Sequence, residues 1–179
     1  MAHTYIATIW QYLYQQDTGI INYYLGFLGI DPIPWLSSSK MVMVSIIIMD
    51  VWKNTGFAML IFLAGLQNIP QDYYEAAELD GANDFQRFFR ITLPLLSPTI
   101  FFIVVIFMIG ALQVFDTIIV LTQGGPGDSS RSIVMYIYEQ AFQRFDMGYA
   151  SALSMTLFAI IMLLTLLQFR LSNRWVYYD

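Results

Sequence analysis

Residues 149–169, YASALSMTLFAIIMLLTLLQF, run without a charged side chain and end at Arg170, with Arg174 close behind. About 20 mostly apolar residues suffice to cross the hydrocarbon core of a bilayer. Inside that core no water serves the backbone, so each N–H and C=O must be bonded within the segment, and a lone stretch achieves this only as a helix. A soluble helical domain fails at this point, and the chain reads as a membrane protein. The first half of the stretch carries small residues at helical spacing, Gly148 with Ala152 and Ala150 with Ser154. Such a stripe admits a second helix at close range; the alternative is a helix that faces lipid alone.

Composition agrees. Hydrophobic residues make up 58% of the 179 and charged residues 12%, against about 25% charged in soluble domains. A second span is expected over 95–121, with Pro98 in its first turn, where a missing N–H costs little. Gln113, Asp116 and Thr117 are expected to share a helical face near its far end. A third, MVMVSIIIMDVWKNTGFAMLIFLAGL at 41–66, holds Asp50 and Lys53 at its centre. Each mid-bilayer charge costs about 2.5–3.5 kcal/mol, which about a dozen apolar residues at roughly −0.5 kcal/mol each recover. That span is marginal alone. It becomes credible if Asp50 and Lys53, three apart, pair and face protein or water.

The layout is then one transmembrane domain over 1–179. It comprises the end of a preceding helix with a loop at 1–40, a span at 41–66, a polar loop at 67–94 and a span at 95–121. A loop with an amphipathic helix at 122–147, a span at 148–170 and a tail at 171–179 complete it. In the first segment, apolar residues at 5, 6, 9, 10, 13 and 14 follow a helical period. The aromatic, Gly- and Pro-punctuated DTGIINYYLGFLGIDPIPWL after it suits a short interfacial helix and loop. LTQGGPGDSSRS reads as a turn. In the helix that follows, Ile133, Val134, Ile137, Tyr138, Ala141, Phe142 and Phe145 line one face, and Glu139, Gln143 and Asp146 the other. The first twenty residues lack the basic start and clean apolar core of a signal peptide, so insertion is expected from internal spans.

The long polar interruption is YYEAAELDGANDFQRFFRITLP at 73–94. It reads as two short helices with a hinge. Pro70 suits a first helical turn, and Asp72 and Glu75 suit the positive end of a helix dipole. Ala76, Ala77 and Asp80 form a small, flat face. Gly81 can take φ > 0 and end the helix, and Asn83 or Asp84 can cap the next. Phe85, Phe88 and Phe89 give that second helix an apolar side, and Pro94 closes the stretch. On these grounds a docking element and an ordinary loop both stand.

Several function classes fall away. A net charge of −5 with scattered basic residues does not suit nucleic acid. Without cysteine and with a single histidine, His3, there is no basis for thiol chemistry, a His-based triad or a metal cluster. The only lysines are Lys40 and Lys53, and no phosphate-cradling Gly-x-x-x-x-Gly-Lys-Ser/Thr loop occurs. Glu75 and Glu78 form a carboxylate pair, but an exposed one, suited to solvent or a partner's arginine rather than to catalysis. No catalytic residue and no metal ligand is expected.

Glu75-Ala76-Ala77, three residues, Gly81, nine residues, then Ile91-x-Leu93-Pro94 resembles the signature loop of permease subunits of bacterial ATP-binding-cassette importers. The flanks NTGFAMLIFLAGLQNIPQDYYEAAELDGA and FDTIIVLTQGGPGDSSRSIVMYIYEQAF, with GYASALS at 148–154, look like the carbohydrate-uptake branch. The resemblance covers nearly the whole chain. It implies an all-α polytopic transmembrane bundle in the inner membrane, here with three full spans plus part of a fourth. It places 67–94 and the tail in the cytoplasm, which the basic residues, four on that side (Arg87, Arg90, Arg170, Arg174) against three on the other (Lys40, Arg131, Arg144), could not decide. It makes Glu75, Ala76, Ala77, Asp80 and Gly81 residues that dock an ATPase, with Ile91, Leu93 and Pro94 fixing the loop to the span. The partners it implies are an ATPase dimer, a second permease and an extracytoplasmic solute-binding protein. ATP and Mg belong to the ATPase, and this chain binds no cofactor. Family members usually have more spans, so an N-terminally shortened permease is expected.

A substrate path would use the polar groups that lipid rejects. Asp50, Lys53, Asn54 and Phe57 fall at i, i+3, i+4 and i+7, and Gln113, Asp116 and Thr117 form a second set. Alternatively, Asp50–Lys53 is a structural ion pair, and Gln113 and Asp116 sit at the outer interface. A function from a different class also stays open: a small membrane scaffold or assembly protein whose polar loop recruits a partner.

Overall fold

The computed structural model describes residues 2–173 and 175–177; Arg174, expected to flank the last span, lies outside the described residues. Regular structure among the described residues is entirely helical, as the apolar runs require. Helix α1 spans Ala2–Leu13, α2 Ile20–Phe27 and α3 Val42–Gln67. The polar stretch holds α4 (Asp72–Leu79), α5 (Asp84–Arg87), a π-helical turn (Phe88–Thr92) and α6 (Leu93–Leu95). Then come α7 (Ser97–Leu112), α8 (Asp116–Leu121), α9 (Ile133–Tyr138), a second π-helical turn (Glu139–Gln143) and α10 (Met147–Ser172).

Helices α3 and α10 have 26 residues each, about 39 Å of helix, and both are long and apolar enough to cross a bilayer. Only 11% of the most apolar window in each is buried within the chain, so lipid or other chains must cover the rest. The expected continuous span over 95–121 is corrected. Helix α7 stops at Leu112 after 16 residues, about 24 Å. Its length is completed on the other side by the helical run 84–95, which meets it at a 59° bend. Pro94 explains the irregularity ahead of the bend. Its ring would collide with the carbonyl four residues back, and the backbone widens there, with Leu93 N–H donating to the carbonyl of Phe88.

Packing gathers the chain into two units. The first joins Met1–Asn54 with Ala111–Phe158, the second Thr55–Gly110 with Ala159–Asp179. The first unit is built on Ala7, Tyr14, Trp35, Val42, Ile46, Met49, Ile118, Leu121 and Met135. Aromatic rings cross-brace it: Trp10 lies 5.1 Å from Tyr14 and 5.5 Å from Trp52, and Tyr14 lies 5.4 Å from Trp35. The loop between α2 and α3 folds onto this core around one side chain. Buried Asn22 donates to the carbonyls of Gln16 (3.0 Å) and Ile33 (2.9 Å). It also accepts from Ile33 N–H (3.1 Å) and Trp35 Nε1 (2.8 Å).

The amphipathic helix after the Gly-Pro turn differs from expectation. Met135, Gln140 and Ala141 are its buried residues, while Phe142 and Phe145 are exposed. The π-helical turn accommodates an extra residue and so rotates the following face away from the phase of a regular α-helix.

In the second unit, α3 and α7 approach closely at Gly65. A Cβ placed there would stand 2.7 Å from Thr99 Oγ1 and 3.0 Å from Leu96 Cδ2. Phe101 packs on Phe169 (5.0 Å) and Trp175 (6.2 Å). Tyr177 N–H donates to Ser97 Oγ at 2.9 Å, fastening the segment after α10 to the start of α7.

Candidate functional site

The polar stretch builds an elbow. Helix α4 begins with Asp72 and Glu75 in its first turn, where their charge complements the dipole. Pro70 lies just ahead of it rather than inside its first turn. The helix ends in a Schellman motif. Ala82 N–H donates to the carbonyl of Ala77 (2.9 Å), Gly81 N–H to that of Glu78 (3.0 Å), and Gly81 takes φ +74°. Of the two candidate caps, Asn83 serves. Its side chain accepts from Gln86 N–H (2.9 Å), while Gln86 returns a bond to Asn83 N–H (3.0 Å).

Two contacts lock α4 to the following helical run. Tyr74 OH and Thr92 Oγ1 share a hydrogen bond of 2.9 Å, with Thr92 buried. Arg87 pairs with Asp84 and reaches Glu78 at 3.8 Å. Neither Tyr74 nor Thr92 was singled out in the sequence. The available signal was Tyr74 at i with Ala77 and Glu78 at i+3 and i+4, one helix face on which Tyr74 and Ala77 are half-buried.

The outer face is open. No residue of α4 is buried. Glu75, Ala76, Asp80 and Gly81 are exposed and Ala77 is half-buried, so the flat face expected of Ala76, Ala77 and Asp80 is only partly free. Ile91 and Pro94 are half-buried toward the span, and Leu93 is exposed at 37%. Leu79 is 90% exposed, a large apolar side chain left without cover. Asp80 stands at the C-terminal end of α4, where the dipole disfavours an anion and no basic residue occupies the last turn. This tip thus offers acceptors and apolar surface together, a combination that suits a donor-bearing protein surface.

The intramembrane polar groups assemble in part. Lys53 Nζ lies 2.8 Å from Asp50 Oδ1, and Asn54 Nδ2 donates to Asp50 Oδ2 at 2.9 Å. Phe57 belongs to the other unit, where its ring faces Phe107 at 6.4 Å. The second expected set does not form a face. The helix breaks after Leu112 and resumes at Asp116, Thr117 is buried, and Gln113 and Asp116 are exposed. Leaving helical geometry lets consecutive Val114 and Phe115 both pack on the core. Among the described residues no group of three or more His, Cys, Asp or Glu is gathered to hold a metal ion.

Comparison with known proteins gives these features a context. The family described as the binding-protein-dependent transport system inner membrane component matches residues 4–177. The probable ABC transporter permease protein YesP of Bacillus subtilis strain 168 is 43% identical over 97% of this chain and 57% of its own length. The trehalose/maltose transport system permease protein MalF of Thermococcus litoralis is 42% identical over 93% of this chain and 56% of its own length. A crystal structure of a bacterial alginate ABC transporter, in complex with an alginate pentasaccharide-bound periplasmic protein, contains a chain of the same fold. It superposes with a TM-score of 0.85 at 29% identity, over 96% of this chain and 60% of that one. The chain spans about half the length of the curated relatives it matches.

Proposed function

The chain belongs to the family of binding-protein-dependent transport system inner membrane components, and from that premise we propose that it is a membrane-spanning permease subunit of an ATP-driven sugar or polyol importer. The observation that carries the reading is the elbow: an exposed eight-residue helix clasped by Tyr74–Thr92 to a helical run that leads directly into a span. In this scheme a separate ATPase dimer binds ATP and Mg and holds α4 through Glu75, Ala76, Ala77, Asp80 and Gly81. When the ATPase closes, the clasp moves the run 84–95 as one piece, with Ile91, Leu93 and Pro94 passing the motion on, and the spans switch access. The chain itself is a transport subunit and performs no catalysis.

The carbohydrate assignment draws support from relatives whose names specify trehalose, maltose and alginate. A second permease and a solute-binding protein complete the proposed complex in the bacterial inner membrane; the alginate transporter's periplasmic protein supports the latter partner. The hydrogen-bonded Asp50–Lys53–Asn54 group lies on the proposed solute path, where its donors and acceptors would serve sugar hydroxyls. Phe57, Gln113, Asp116 and Thr117 complete the candidates for that path. Buried Thr117 acts there only if neighbouring side chains move.

The test is co-purification with the ATPase subunit of the proposed complex. Glu75→Arg reverses the charge at the start of α4, and Gly81→Pro imposes φ near −65° where the backbone needs +74°. Both variants should lose the ATPase. Retention in both would remove the docking assignment.

A further inference from the structure

The helical run 84–95 carries three phenylalanines whose rings stay largely open. Phe85, Phe88 and Phe89 are 72%, 48% and 49% exposed. The rings form one cluster, with Phe85 and Phe89 centroids 4.6 Å apart and Phe88 and Phe89 centroids 5.0 Å apart. We propose that this cluster is a lipid anchor. It lies at the boundary between headgroups and acyl chains, with Arg90 at the level of anionic phosphates, and it holds the elbow on the membrane surface. The proposal rests on the reading of this run as the lead-in to a span, and it gives a partner to side chains that the coupling scheme leaves without a task.

The run meets α4 through other residues. Thr92 shares a hydrogen bond with Tyr74, and Arg87 is engaged by Asp84 and Glu78. Arg90 is different: it is exposed and has no ion pair among the described residues. Exposed aromatic rings together with an uncommitted guanidinium are the make-up of a helix that lies in a membrane interface. The long apolar stem of Arg90 can stay with the acyl boundary while its head reaches outward, and a guanidinium grips phosphate oxygens through paired hydrogen bonds.

Position selects lipid over a protein surface. The run enters α7 at a 59° bend, so it leaves the bilayer at a slant rather than projecting straight into water. With about 1.5 Å of rise per residue along that slant, even Phe85 stands only about 8 Å from the bend, measured along α7. One headgroup layer is roughly 5–8 Å deep, so all three rings stay within its reach. Exposed apolar side chains continue past them at Leu93 and, on α7, at Phe102, which joins the cluster to the surface that lipid covers. The docking candidates Glu75, Ala76, Asp80 and Gly81 lie on α4 and its C-terminal cap, farther from the span along the chain.

The experiment uses the full chain in nanodiscs of phosphatidylethanolamine and phosphatidylglycerol. The sequence has no cysteine, so single substitutions carry one nitroxide spin label each. Oxygen, which enters lipid, and a water-soluble nickel chelate report its surroundings. The ratio of oxygen to nickel accessibility at Phe88→Cys and Phe89→Cys should be at least threefold that at Ala76→Cys on α4, with Phe85→Cys between. Addition of the ATPase should leave the ratios at the three ring positions unchanged. Arg90→Glu should at least halve the ratio at Phe89→Cys, and Arg90→Lys should preserve it. Unchanged helical circular dichroism will certify the fold of each variant. Ratios at the ring positions equal to that at Ala76→Cys, ring positions closed to both reagents once the ATPase binds, or a ratio indifferent to Arg90→Glu would each overturn the proposal. Ring positions in water, with the ATPase still lost in Glu75→Arg and Gly81→Pro, remove the anchor alone. Ring positions in lipid, with the ATPase retained in both, remove the docking assignment alone.

Discussion

At the residue scale, Asn22 braces the first unit, because its four hydrogen bonds close the loop from Gln16 to Trp35. Replacing it with alanine strands Trp35 Nε1–H and Ile33 N–H. Each buried donor left without an acceptor costs about 1–3 kcal/mol. Asn22→Ala should therefore lower the thermal midpoint by several degrees. Asn22→Asp, which keeps the acceptors and loses the donors, should fall between, with tryptophan fluorescence in detergent as the readout. Gly65 offers a second residue-scale test. Gly65→Ala pushes a methyl group toward Thr99 and Leu96 and should destabilise the second unit. Thr99→Ala removes the nearest of those atoms, so the double variant should recover a large part of the loss, a coupling that a double-mutant cycle measures. Neither Asn22 nor Gly65 was legible in the sequence. The partners of Asn22 lie 6, 11 and 13 residues away, and those of Gly65 lie on another helix. Gly81 and Asn83 were legible because their partners are local, as cap geometry requires.

At the element scale, α3 carries a cost that its own sequence makes plain. Asp50 and Lys53 interrupt its apolar run and answer it by pairing, with Asn54 joining them. Removing one partner leaves a lone charge in lipid, worth about 2.5–3.5 kcal/mol on insertion scales. Asp50→Leu should therefore insert no better than the segment with the intact pair, despite its gain in hydrophobicity, and Lys53→Leu likewise. The Asp50→Leu/Lys53→Leu double variant should insert better than either single one. Glycosylation mapping of residues 42–67 in a translocon assay reads this order. Single variants that each insert better than the intact pair by the full cost of one charge would show that the charges do not compensate each other. Periodicity revealed α3, α4 and α10, whose hydrogen bonds stay within each helix. It missed the break at Gln113 and the π-helical turn at Phe88–Thr92, since the first answers to packing by Val114 and Phe115 and the second to Pro94 rather than to the local pattern.

At the scale of the whole molecule, the apolar surface is the main fact. Side chains such as Met59, Leu60, Phe158, Leu163 and Leu166 stand at or above 59% exposure on the two long helices. Water cannot be their solvent. Lipid and neighbouring subunits can. This oily exterior also gives the elbow its meaning, because α4 is a polar exposed helix on a chain otherwise adapted to lipid. Its side of the membrane follows from family resemblance and is open to direct test. The chain contains no cysteine, so single substitutions report without background. Ala76→Cys on α4 and Asn173→Cys just beyond α10 should both resist a membrane-impermeant maleimide in intact cells, and both should react fully once the cells are permeabilised. Labelling of Ala76→Cys in intact cells would put the elbow outside, out of reach of any ATP-hydrolysing partner, and the force that moves the spans would have to come from elsewhere.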